Sequence, residues 1–173
     1  ADPWCLVGQA LLYADDHKGA QAAFARAQKA EKSLKARVGQ AVAARDEGEL
    51  TALSDPALKL PGDLLAQVLA ARARKTTGDE AKALAEQAAA ASEAEPAAQL
   101  ALGLSLGDEG LPNLQRAVAL APAWAEARVT LAEALNKKGD ATRAYGEAEA
   151  AKRIAVKGAI LDRAKKIAGK GGR

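Results

Sequence analysis

Residues 103–107, Gly-Leu-Ser-Leu-Gly, carry the spacing G-x-S-x-G. In hydrolases that use this spacing, the serine is a nucleophile on a strand-to-helix turn, and an acid and a histidine follow it in the chain. Here the only histidine, His17, lies upstream, and the preceding stretch Pro-Ala-Ala-Gln-Leu-Ala-Leu-Gly continues a helical pattern. Ser105 therefore reads as a serine at a helix end before the turn Gly-Asp-Glu-Gly. One His and one Cys exclude a zinc site of the His/Cys type within a single chain, and the acids are scattered over exposed helix faces. Residues 169–173, Gly-Lys-Gly-Gly-Arg, have the letters of a phosphate loop in the wrong order and no strand before them, so they read as a linker or frayed terminus. No catalytic residue, metal or cofactor is expected, and the chain reads as a non-enzyme.

The elements that must carry whatever this chain does are legible in the same sequence. At 173 residues with 49% hydrophobic side chains the chain can bury a continuous core. Aromatics are 3% and Met is absent, so that core is built from Ala, Leu and Val. Small side chains suit helices packed at short distance. Without Met the first residue is not an initiator, and the chain reads as a piece of a longer protein, bacterial by its Ala-rich composition. No stretch is apolar enough to span a membrane, so a soluble domain, cytoplasmic or periplasmic, is expected.

The net charge of +3 is unevenly placed. From residue 151 onward eight cations face the single anion Asp162, a net +7, so the first 150 residues carry −4. The high pI belongs to the C-terminal end and does not make the body a nucleic-acid binder.

Trp4, Val7, Gly8 and Leu11, then Ala20, Phe24 and Ala27, recur at three- and four-residue intervals and predict two amphipathic helices joined by the turn Asp-Asp-His-Lys-Gly. The same order returns around Gly78-Asp79, with Asp79 the expected N-cap, and around Gly139-Asp140. Ala83 and Ala144 correspond to Ala20, and their separations of 63 and 61 residues each hold two repeats. A second repeat is expected from a helix at 33–47 and a short helix near 49–54, before two prolines in Ser-Asp-Pro-Ala-Leu-Lys-Leu-Pro-Gly break the pattern. A fourth is expected from a helix at 96–105 and another starting near Pro112.

The first unit resembles a tetratricopeptide repeat. Trp4, Val7, Gly8, Leu11, Ala20 and Phe24 follow the pattern W-x2-L-G-x2-Y…A-x3-F, and Lys32 stands where the closing Pro would be. Gly8 and Ala20 are expected at the helix crossing, with Trp4 and Phe24 filling the space on either side. The resemblance covers about 150 residues and implies an all-α, right-handed α-solenoid of about five helix pairs, repeats two and four irregular. Residues 1–155 form the expected array, and residues 156–173 a basic capping helix and flexible tail.

The family implies that the first helices of successive repeats line a concave groove that receives a peptide or helix of a partner protein. Helical phase puts Cys5, Gln9, Leu12 and Tyr13, then Ala36, Gln40 and Ala43, then Val68, Arg72 and Lys75, then Val129, Glu133 and Asn136 on that side. Of these, Gln9, Leu12, Tyr13, Gln40, Arg72, Lys75, Glu133 and Asn136 are the candidate groove residues. The subclass that grips chaperone C-termini uses Lys, Asn and Arg along the groove. Cys5 and Gln9 stand at the matching first-repeat positions, so that clamp is not expected.

Two competing readings are carried. The terminal helix places Ile154, Ile160, Leu161, Ala164 and Ile167 on one side and Lys152, Lys157, Arg163, Lys165 and Lys166 on the other, which suits a cap but also an anionic membrane or nucleic-acid surface. No aromatic interleaves those cations, so base stacking is not available. Alternatively, the irregular repeats expose apolar surface that pairs with a second copy.

Overall fold

A computed structural model describes residues 2–171, and the side chains up to residue 169. Every regular element among the described residues is helical. The order is α1 (Pro3–Tyr13), α2 (His17–Ala30), α3 (Leu34–Ala44), α4 (Glu47–Leu53), α5 (Gly62–Ala73), α6 (Gly78–Ala91), α7 (Pro96–Ser105), α8 (Leu111–Leu120), α9 (Ala125–Lys137), α10 (Ala141–Ile154) and α11 (Ala159–Gly171). Each odd helix packs on the even helix after it and on the next odd helix or its neighbours, giving five stacked pairs and a terminal helix. The fold is a tetratricopeptide-like solenoid.

Local chemistry explains where the helices start. Asp2, Asp16, Ser33, Asp46 and Asp140 each accept a hydrogen bond from a first-turn N–H of the helix they precede. The turn before α10 needs a left-handed residue, and Gly139 supplies it at φ 84°. In the first pair Asp15 takes that role at φ 63°. Asp79 is not the cap expected of it. Helix α6 begins at Gly78, before the position expected, so Asp79 lies inside the first turn and acts on the helix dipole rather than as a cap on an unpaired N–H.

Packing rests on small residues set against a few large ones. Phe24 is 2% exposed. A Cβ on Gly8 would sit 2.8 Å from its ring, and one on Gly39 would overlap the ring from the other side. The ring thus fills a slot between α1 and α3. Trp4, expected beside the crossing, is 37% exposed, with the Arg26 guanidinium of α2 4.6 Å above its ring. In the fourth pair Gly103 has no room for a side chain, because a Cβ would meet Leu114 at 2.6 Å. Buried Gln99 secures that irregular pair, accepting from Asn113 of α8 and donating to the Glu93 carbonyl.

The double-proline break does not split the array. Asp55 caps one 3-10 turn at Pro56–Leu58, and a single cluster of Val38, Ala41, Leu50, Leu53, Leu64 and Val68 runs across it from α3 to α5. Helix α11 buries Ile160, Ala164, Ile167 and Ala168 and packs on α9 and α10. Its Arg163 donates to both carboxylate oxygens of Glu133 at 2.8 and 2.5 Å. The expected tail extends to Gly172 and Arg173, which lie outside the described residues.

Candidate functional site

The array curls until its two ends meet. Tyr13, the last residue of α1, stacks on Trp124, the residue before α9, with ring centroids 5.5 Å apart and planes inclined at 29°. Beside it the Val156 N–H, in the α10–α11 connection, donates to the Ala14 carbonyl at 3.3 Å. These contacts close the concave side around a cavity of about 460 Å³, within the size range of ligand sites. All of the first five odd helices contribute: Gln9, Leu12 and Tyr13 from α1, Gly39 and Val42 from α3, Gln67 and Ala71 from α5, Ala97 from α7 and Glu126 from α9. His17 at the start of α2, turn residues Arg45, Arg74 and Lys75, and the cap residue Glu95 complete the lining with Leu50 and Trp124.

Of the candidate groove residues, Gln9, Leu12, Tyr13 and Lys75 line this cavity. Gln40 and Asn136 are exposed elsewhere, Glu133 is held by Arg163, and Arg72 is half-buried with its carbonyl accepting from Thr76. Cys5, Ala36, Ala43, Val68 and Val129, assigned to the same face by helical phase, are all core residues. On α3 and α5 the slip is one position. On α3 the cavity takes Gly39 and Val42 where Gln40 and Ala43 were expected, and on α5 it takes Gln67 and Ala71 where Val68 and Arg72 were; Lys75 lines it as expected, joined by Arg74. Small residues on every face blur the phase, so only the neighbouring helices decide it. Glu95, Ala97 and Trp124 carried no sequence signal, because each sits at a helix start rather than on a periodic stripe.

The cavity's charges are mostly committed. Arg74 pairs with Glu126 across α5 and α9. Lys75 donates to the Arg45 carbonyl at 2.6 Å, with Glu47 3.9 Å away. Arg45 approaches His17 Nε2 at 3.1 Å, and the same nitrogen lies 3.3 Å from Asp15. Glu95 accepts from Gln67 Nε2 at 3.0 Å and from the Ala97 N–H at 3.4 Å. Burial raises the Glu95 carboxyl above its ordinary range, against the lowering effect of those two bonds. Burial raises the Tyr13 phenol as well, and the Glu95 charge adds to it.

Ser105 belongs to a different hollow, beside the α5–α6 turn. Its hydroxyl donates to the Leu102 carbonyl at 2.9 Å, a helix precedes it and a 3-10 turn follows. The strand that a nucleophile elbow requires is replaced by α7. No group of His, Cys, Asp and Glu suited to a metal occurs among the described residues. No described helix is long and apolar enough to cross a membrane.

No protein-family model matches the chain, and a search of curated proteins finds no match. Among solved structures, the chain is similar to TTC0263, described as a thermophilic TPR protein in Thermus thermophilus. The two share 21% identity, the match covers 96% of each chain, and the TM-score is 0.58. At that identity the likeness is one of fold, the tetratricopeptide solenoid.

Proposed function

We propose that this chain is a non-enzymatic protein-interaction scaffold that holds a segment of a partner protein in its concave cavity. The observation that carries the reading is the contribution of α1, α3, α5, α7 and α9 to one surface. That surface mixes an apolar wall (Leu12, Val42, Ala71), two aromatic rings and separated charges, a combination that can grip both side chains and main chain of an extended peptide. Gln9, Leu12, Tyr13 and Lys75 are the proposed contacts retained from the sequence, joined by Val42, Gln67 and Ala71. Residues 1–155 serve as the array and residues 156–173 as its cap. Of the cations on the polar side of the terminal region, Arg163 pairs with Glu133 and Lys152 of α10 with Glu149.

A photo-activatable residue placed at Ala71 tests the reading when compared with one at Gln28 of α2, which lies outside the cavity lining. Cross-links formed at Ala71, mapped to one segment of a partner and lost when Gln9, Tyr13 and Lys75 are changed together to Ala, are the expected result. Equal cross-linking from Gln28, or retention by the triple variant, would move the binding surface off the cavity.

A further inference from the structure

Of the two carboxylates in the cavity lining, Glu126 has a counter-ion and Glu95 does not. Glu95 makes no ion pair among the described residues, and Lys35, the cation whose charge reaches it, has the smallest effect of those acting on the carboxyl. The neighbouring cations are engaged elsewhere, Arg74 by Glu126 and Lys75 by the Arg45 carbonyl. Arg45 itself is exposed, so water screens it, whereas Glu95 is drawn partly out of water on a lining it shares with Leu12, Val42, Tyr13 and Trp124. Desolvated charge is where an incoming ion gains most. An anion entering here would face Glu95 repulsively, and a neutral group would leave the carboxylate with only its two hydrogen bonds, from Gln67 Nε2 and the Ala97 N–H.

From this arrangement we infer that the cavity accepts an alkylammonium or guanidinium group, the basic side chain of the partner segment, with Glu95 as its counter-ion. The aliphatic stem lies along Leu12, Val42 and Ala71, which bury methylenes while the charged head reaches the carboxylate. Tyr13 and Trp124 border the same space and add attraction for a cation where a ring face is open to it. The assignment of the group to a partner segment rests on the function proposed above, while the cation preference rests on Glu95 alone.

The test follows the Trp124 indole and Gln67 side-chain amide signals by NMR on the full chain. Three probes are titrated: the blocked tripeptide Ala-Lys-Ala, the same tripeptide with norleucine for lysine, and n-butylammonium chloride. Saturable shifts with both cationic probes, none with norleucine, and a loss of about tenfold or more in affinity for Glu95→Gln are expected, the scale of one charge-assisted contact. The lysine and norleucine arms are read on the unaltered protein, so they decide the matter even where the variant folds poorly. Equal shifts from lysine and norleucine overturn the cation preference and leave the peptide scaffold standing. Silence from both cationic probes also overturns it, and the cross-linking experiment then judges the scaffold separately. Shifts from butylammonium without the lysine peptide uphold the cation site and overturn its assignment to a partner side chain.

Discussion

Tyr13 and Trp124 stack at 5.5 Å between centroids, joining the first helix pair to the fifth. An open solenoid has no such contact, so this pair, with the Val156 to Ala14 hydrogen bond, makes the concave side a bounded cavity rather than an open trough. An aromatic pair of this kind contributes about 1 kcal/mol beyond area burial. Tyr13→Ala should therefore loosen the seam without unfolding the pairs. A larger radius of gyration by small-angle scattering and a red-shifted Trp emission are expected; an unchanged radius would assign the closure to the α10–α11 connection alone.

Phe24 sits in a slot whose two sides are Gly8 and Gly39. Gly39→Ala forces the ring or the helix to move, at a cost of about 1–3 kcal/mol for an overpacked core. Phe24→Ala empties the slot and should cost about 3–5 kcal/mol. In the double variant the new methyl group at residue 39 partly refills the space, so its urea midpoint should lie above the sum of the single effects. Strict additivity would show that the contact is not as close as the structure has it.

Glu95 gives stability a specific dependence on pH. Its folded pKa is raised, so between its ordinary value and the raised one the folded state holds the proton more firmly than the unfolded chain does. Stability from this group is therefore greatest at the acidic end and falls as pH rises through the folded pKa. The groups acting on it are Gln67 and Asp63 of α5, Lys35 of α3, the Ala97 N–H of the helix it caps, and Tyr13 of α1, whose phenol feels the Glu95 charge. Urea midpoints of the wild type minus those of Glu95→Gln, followed from mild acid to neutrality, isolate this slope from that of the other carboxylates. A flat or opposite difference would contradict the burial of the carboxyl.

The terminal helix is held by apolar burial more than by charge. Glu133 and Arg163 are both partly exposed, so Glu133→Ala should cost roughly 0.2–1 kcal/mol and less in high salt. Ile160 is 6% exposed, and Ile160→Ala should cost about 2–5 kcal/mol. Thermal melts of the two variants at low and high salt check the ordering. A larger effect at Glu133 would make the ion pair the principal fastening of α11.

The sequence by itself determined the local architecture: five helix pairs and a last helix, with turns where Asp and Gly stand. Those features depend on interactions within a few residues of each other, such as the Asp140 cap on the Arg143 N–H or the left-handed Gly139. It also determined that Ser105 ends a helix, which follows from a helical rather than a strand context. Only the tertiary structure decided which residues face the cavity. Turning a helix by one position rotates its faces by about 100°, and Ala on several faces leaves little apolar contrast to set that rotation. So Cys5, Ala36 and Val68 went to the core and Val42, Gln67 and Ala71 to the cavity, once neighbouring helices had chosen the closest packing. The meeting of Tyr13 with Trp124 was equally beyond local reasoning, because it sums the small rotations between successive pairs over the whole array, and no single stretch of chain encodes that sum.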